Sequence, residues 1–312
     1  MLSRRLLRIK ALKALYAHLQ NESDNMIASE KSMLGSIDKA YDLYFQMLLL
    51  PVEVARYGEA RQELAKEKKL PTYEDLNPNR KFVDNRALAL IANSDSVNDY
   101  AAKRKLTWAN QSEVIKSIYN TLQESESYKS YMTSPDDSLK ADVAFLENFF
   151  FKDMQQCEVL DEALEDLSIM WDNDLSFVLP LVARTLSSIR PSHTELKVMP
   201  KYKSDEELEF VRTLFQKSLI NYNKNQTYIE KFTSNWDLER IVFMDNLIMN
   251  MAMTELTSLP SVPVKVTMDE YIEISKAYST PGSSTFINGV LDRVVNDLTA
   301  EDRIQKSGRG LI

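Results

Sequence analysis

Glycine is scarce in this 312-residue chain, at 6 positions, and cysteine scarcer still, at one. Sheet folds punctuated by tight turns call on residues that take positive φ. Few glycines beside long runs of Leu, Met, Ala, Glu and Lys therefore predict helices joined by short connections. Cys157 closes no internal disulfide, and with only 2 histidines the chain assembles no Cys/His zinc site, which fits a reducing compartment. No stretch reaches about 18 uninterrupted apolar residues, and the start of the chain lacks the apolar core of a secretory signal. The expectation is an all-α, cytoplasmic protein without a membrane partner.

Sequence signals for catalysis are equally thin. Gly35, Gly58, Gly282, Gly289, Gly308 and Gly310 form neither GxGxxG nor GxxxxGK[ST], so no phosphate-cradling loop is present. His18 falls in the first amphipathic segment and His193 in a polar connection, with no Ser or Cys nucleophile motif beside either. The carboxylates lie along helical faces, where solvation accounts for them. A non-enzyme with no catalytic residue, no metal and no cofactor is expected.

Charge is abundant and unevenly placed. The total is −8, from 38 Lys and Arg against 46 Asp and Glu, yet Arg4, Arg5, Arg8, Lys10 and Lys13 all precede the first acid, Glu22. The rest of the chain then holds 33 cations against 46 acids: a basic end on an acidic body. Leu6, Leu7, Ala11, Ala14, Leu15 and Leu19 keep close to a 3.6 period, which predicts an amphipathic helix from Ser3 to Gln20 with its cations on the other face. Arginines in a first turn oppose the helix dipole, so stability alone does not place Arg4 and Arg5 there; a ligand anion would. A solvated helix face and an organelle-targeting segment are the other readings of such a run.

Further along, Ser36 is placed to cap a long helix presenting Tyr41, Phe45, Leu48 and Val52, with Pro51 as a kink and Pro71 to Pro78 as a loop. A turn at Ser134-Pro135-Asp136 opens a helix from Leu139 whose Phe149, Phe150 and Phe151 read as packing. The polar stretch 191–204, with prolines at 191 and 200, reads as a linker between a helical region, 21–190, and a C-terminal bundle, 205–312; residues 1–20 are the basic helix. In that bundle Ile241, Met244, Ile248, Met251 and Ala252 mark one face as core. Phe150, Lys152, Leu164, Trp171 and Asp172 recur 65 residues later as Phe215, Lys217, Ile229, Trp236 and Asp237, the pattern of a duplicated helical unit.

The C-terminal third carries the most specific signal. Val262-Pro263-Val264-Lys265-Val266 leads into a helix, and Ser283 or Ser284 is placed to cap the last one, leaving its backbone N–H groups to an anion. Phe286 lies one turn inside that terminus, and Gly289 predicts a close backbone approach.

At these residues the sequence resembles the NusB family of transcription antitermination factors. One block is Arg4-Arg5, Arg8, Ala11 and Ala14-Leu15-Tyr16. The other includes Trp236-Asp237-Leu238-Glu239-Arg240, Asp245, Ala252, Glu255-Leu256, Val262-Pro263, Lys265-Val266 and Phe286-Ile287-Asn288-Gly289-Val290-Leu291-Asp292. The resemblance implies NusB-like helical bundles enlarged by a helical insertion, and a factor that works without catalysis. It also implies binding of boxA-type RNA from ribosomal RNA leaders, together with the ribosomal protein that acts as NusE, within the RNA polymerase antitermination complex. The implied RNA-contacting set is Arg4, Arg5, Arg8, Lys10, Tyr16, Ser283, Ser284 and Phe286; Asp245 and Glu255 would face the basic ribosomal protein. Leu6 and Ser284-Thr285 stand where relatives often carry a basic residue or His, so the RNA surface is less cationic than usual. The alternative is an acidic helical scaffold that binds the ribosomal protein with little RNA affinity. The helical module of RNA cytosine methyltransferases is a third comparison, but no cofactor-binding unit accompanies it here.

Overall fold

In the computed structural model, residues 1–155, 157–171, 173–233 and 242–311 are described. Among them fifteen α-helices and no strand occur. In chain order these are α1 (Arg4–Gln20), α2 (Met26–Lys66), α3 (Tyr73–Leu76), α4 (Arg86–Ala92), α5 (Asp95–Arg104), α6 (Ser112–Glu124), α7 (Glu126–Thr133), α8 (Leu139–Asn148), α9 (Glu158–Leu167) and α10 (Leu175–Ser187). They continue as α11 (Asp205–Ile220), α12 (Tyr222–Thr233), α13 (Phe243–Ser258), α14 (Val264–Tyr278) and α15 (Ser283–Ala300). The fold class is all-α, as the glycine-poor composition predicts. None of these helices is long and apolar enough to cross a membrane.

The chain divides into two compact units. One comprises 1–2 with 38–201, the other 3–37 with 202–312. Residues 21–37 thus belong with the basic helix, and the polar stretch 191–201 packs with the first unit.

In the first unit, the later part of α2 carries an aromatic cluster. The Phe45 and Tyr100 rings stack at 3.9 Å, and Tyr41 meets both edge-on. Asp42, fully buried, receives two bonds of 2.7 Å from Arg104 and one of 2.9 Å from the Tyr100 hydroxyl. Desolvation, then the bond to Asp42, pushes the Tyr100 hydroxyl well above its ordinary range. Phe149 and Phe150 are buried in a π-helical turn, as their packing reading requires, whereas Phe151 is exposed.

In the second unit, α13 is central, with every residue from Leu247 to Leu256 buried. Around it stand α1, α11, α12, α14 and α15. Because α13 is covered on all sides, the Met-rich stripe is core, but it is no one-sided face. Ile241 lies outside the described residues, as do Asp172, Trp236 and Asp237 of the 65-residue echo and all of Trp236 to Arg240.

Several local expectations are revised. The long helix begins at Met26 rather than Ser36, whose hydroxyl instead donates to the Met33 carbonyl inside the helix, and it runs unbroken through Pro51. The loop between Pro71 and Pro78 contains a four-residue helix, α3, closed by a capping box of Thr72 and Asp75. Gly289 is exposed, and a Cβ there would meet nothing within 4 Å, so no close approach explains it. Helix α1 is not amphipathic: Ile9 and Leu12 are buried along with Leu6, Leu7, Ala11 and Leu15 of the predicted stripe, and so are Arg8 and Lys10, while Ala14 and Leu19 are half-buried.

Candidate nucleic-acid interface

Three arginines on the first two turns of α1 each meet a carboxylate from a different helix of the second unit. Arg4 lies 3.6 Å from Glu207 at the start of α11. That carboxylate also accepts the Ser204 backbone N–H at 2.9 Å, one of the orphan donors at a helix start. Burial opposes the Glu207 charge, but its bonds to Ser204 and the field of Arg4 outweigh burial and lower its pKa. Arg5 donates through Nε and Nη2 to Glu270 on α14, at 2.8 and 3.1 Å. Arg8 does the same to Glu255 on α13, at 2.8 and 2.7 Å. The guanidinium groups of Arg4 and Arg8 both stand over the Phe210 ring, at 5.0 and 5.2 Å from its centre.

The Arg8–Glu255 pair is fully internal, the two residues being 2% and 0% exposed. Glu255 accepts twice from Arg8, once from the Thr267 hydroxyl at 2.9 Å and once from the Tyr271 hydroxyl at 3.2 Å. These four donors fill the lone-pair sites of a carboxylate. Burial disfavours a charged Arg8, yet the bidentate bond to Glu255 more than compensates and raises its pKa. Burial, then the negative field of Glu255, pushes the Tyr271 hydroxyl far up.

The expected surface roles of Arg8 and Glu255 are therefore corrected: each neutralises the other, and neither meets solvent. Lys10, 3% exposed, is likewise inside, away from any phosphate. The anion that Arg4 and Arg5 require is supplied by the protein's own Glu207 and Glu270. A signal for this was present in sequence. Arg8 interrupts Leu6-Leu7-Arg8-Ile9, Glu255 is the one charge between Asp245 and Lys265, and a lone charge in a stretch that becomes buried requires a buried opposite.

A second cluster forms where α14 hands over to α15. Asp245, 3% exposed on the first turn of α13, accepts from the hydroxyls of Ser279 and Ser283, the latter at 2.8 Å. The Thr280 and Ser283 hydroxyls are bonded to each other at 2.8 Å. Ser283 is thus committed to Asp245 and does not cap α15. Gly282 takes the cap position with φ at 92°, a conformation that L side chains rarely adopt, and no side chain caps the helix. The expectation that Asp245 faces a protein partner is corrected too: it points inward and ties the α14–α15 connection to α13.

Around this connection the rings gather. Tyr16, exposed on α1, meets Phe243 on α13 edge-to-face at 5.6 Å. Lys13, one turn before Tyr16, stands 5.7 Å over the ring of Tyr278, the last residue of α14. Phe286 is half-buried one turn into α15, with Ser284 beside it also half-buried. The contacts run from Tyr16 to Phe243, through Asp245 to Ser279 and Ser283, and from Tyr278 to Lys13. They bring Tyr16, Ser283, Ser284 and Phe286 to one region. Arg5 and Arg8 meet Glu270 and Tyr271, about two helical turns earlier on α14. The predicted residues therefore separate into a buried Arg8–Glu255 pair flanked by the half-exposed pairs of Arg4 and Arg5, and an aromatic–hydroxyl rim. Sequence reading missed Phe243 and Tyr278, which no motif marks.

Comparison with known proteins falls mostly on the second unit, although residues 181–201 of the matched span belong to the first. Residues 181–296 match the NusB family, a span that leaves α1 outside. A transcription antitermination protein NusB from Salinibacter ruber is 45% identical over 104 residues, 33% of this chain and 65% of that protein. Its namesake from Chloroherpeton thalassium is 38% identical over 104 residues, 49% of its length, and that from Natranaerobius thermophilus 34% over 90 residues, 65% of its length. The chain thus spans between about half and two thirds of the relatives it matches. No solved structure matches it. The chain carries a NusB family domain at residues 181–296, within a polypeptide longer than is typical of that family.

Proposed function

We propose that this protein is a non-enzymatic transcription antitermination factor. It binds boxA-type single-stranded leader RNA together with the ribosomal protein that acts as NusE, as part of the RNA polymerase antitermination complex. The observation that carries the reading is the aromatic–hydroxyl rim at the start of α15, within the matched family domain. There Phe286, Ser284 and, from α1, Tyr16 share one region. Aromatic rings beside an uncapped helix start suit an unpaired, negatively charged strand. Arg4 and Arg5 keep part of their side chains in solvent, at 31% and 40%, and add a weaker cationic flank.

The internal pairing of all three arginines favours a second reading, an acidic scaffold that binds the ribosomal protein and holds RNA poorly by itself. An electrophoretic titration of boxA RNA with the full chain, with and without the ribosomal protein, separates them. The factor reading expects retention of RNA that the ribosomal protein increases. Capture of the ribosomal protein with no change in RNA retention would favour the scaffold.

A further inference from the structure

We infer that the groove between α2 and α4, within the first unit, is a docking site for an amphipathic helix of a basic protein. That helix sets apolar side chains into the groove and a Lys or Arg beside Glu59 and Asp84 at its end. The groove lies outside the matched family span, and the inference does not depend on the RNA-binding reading.

The first ground is shape. Val52 and Ala55 on α2 face Val83, Leu88, Ala89 and Ala92 across an open space of about 350 Å³, room for a Leu or Phe side chain from outside. Ala89 is exposed and Val83 and Ala92 are half-buried, so this wall turns methyl groups to water where a helix surface ordinarily carries charge. The wall is also fixed. Asn85, 1% exposed, caps α4 by accepting the Ala87 and Leu88 N–H groups at 2.9 and 3.0 Å, and it donates to the Tyr131 hydroxyl and the Asp142 carbonyl. Arg86 adds a bond of 2.8 Å to the Asp142 carboxylate. A groove already ordered in this way spares a partner part of the entropic cost of binding.

The second ground is charge, which selects the occupant. Glu59 and Asp84 line one end of the groove and share a single cation, Arg80, at 2.8 and 2.9 Å. Arg80 also faces Glu63 at 3.8 Å, which Lys66 meets from the other side, and Arg56 on the groove is held by Glu53. Four carboxylates thus stand against three cations, with the surplus at the Glu59–Asp84 end of a chain whose total is −8. A cation from the partner completes the set, whereas a nucleic-acid strand or an acidic segment meets repulsion. The α2 wall runs from Val52 to Glu59, about 10 Å of helix axis. A partner helix laid along it can place apolar residues four apart in the groove and a cation one turn further on, at the acidic end.

The test uses the full chain and a pair of fluorescein-labelled, alanine-based helical peptides, each with Leu at positions four apart. One peptide carries Lys in the turn beyond them, the other Glu. Anisotropy titration at low salt should give saturable binding of the Lys peptide, about fivefold tighter than of its Glu counterpart, as expected of an exposed charge pair at a rim. Asp84→Asn should remove most of that preference while binding persists. Ala89→Trp, which fills the groove from an exposed position, should weaken the Lys peptide roughly tenfold. A measurement on the unmutated chain covers the case of a variant that does not fold: with alanine methyl labels in the protein, the NMR signals of Ala55, Ala89 and Ala92 should shift on addition of the Lys peptide. Binding of neither peptide, equal affinity for both, unchanged affinity in a folded Ala89→Trp protein, or shifts that spare those methyl groups would overturn the proposal. Shifts of the same signals with protein concentration alone would give the groove to a second copy of this chain and overturn it equally.

Discussion

Arg8 contributes to this protein through what it would leave behind. With four donors converging on fully buried Glu255, removal of the guanidinium strands a buried carboxylate, an arrangement that typically costs about 3–5 kcal/mol. Arg8→Ala should therefore lower the urea midpoint strongly while leaving the salt slope of RNA binding unchanged. Glu255→Gln keeps the shape and the acceptor but loses the charge, and should be destabilising by a smaller amount. Arg8→Met with Glu255→Leu removes both charges and should recover much of the loss, since a buried ion pair is weak evidence for net stability against apolar replacements of similar size. Urea unfolding of the four proteins checks the order. An Arg8→Ala protein as stable as wild type would show that the hub is solvated in solution.

At the scale of elements, the C-terminal segment after α15 behaves as a clasp on the α13–α14 connection. The Lys306 ammonium donates to the carbonyls of Glu255 and Leu259 at the end of α13, a position where a cation also complements the helix dipole. Ser307 donates its N–H to the Pro260 carbonyl at 3.0 Å. Gly310 lies so close that a Cβ would stand 2.0 Å from the same carbonyl oxygen. Burial lowers the Lys306 pKa to about 8, against the smaller opposing field of Glu255. Because the docked amine binds its proton less tightly than a free one, the released segment takes up protons between pH 8 and the ordinary lysine value. Docking should therefore tighten as pH rises through that window and be weakest below it. Gly310→Ala should displace the clasp, accelerate exchange of the Ser307 amide and return the Lys306 titration toward the ordinary value, all readable by NMR. An unchanged Lys306 midpoint in that variant would show that Gly310 does not hold the clasp.

Elements were also where sequence was most informative. Helices α11, α14 and α15 lie close to where periodicity puts them, because their apolar residues repeat along a face. Helix α1 was placed correctly and its environment misjudged. A 3.6 period reports which face is most apolar, not whether the opposite face meets solvent or a set of carboxylates. The start of α2 was missed although Asn25 caps it, its side-chain oxygen accepting the Ala28 N–H at 2.9 Å, because Ser36 imitates a cap inside the helix. At the candidate site, Tyr16 and Phe286 were legible as aromatic residues next to polar termini. Phe243 was not, since its partner lies more than two hundred residues away and only packing brings them together.

The whole molecule carries −8, and this changes how RNA would arrive. A basic first helix would steer a polyanion over a Debye length of about 8 Å at physiological salt, but only where its charges are uncompensated. Glu207, Glu255 and Glu270 cancel Arg4, Arg8 and Arg5 at contact distance, so beyond a few ångströms the three arginines present little positive field and the acidic remainder dominates. Like charges then slow encounter, and added salt screens them. For the protein alone, the association rate constant with boxA-type RNA should stay flat or rise as salt increases. Once a basic ribosomal protein is bound, the pair presents a cationic surface, and the same rate constant should be larger at low salt and fall as salt is raised. Stopped-flow mixing at a series of ionic strengths distinguishes the two. A steep fall for the protein alone would mean that the α1 arginines leave their carboxylates in solution and reach for the strand.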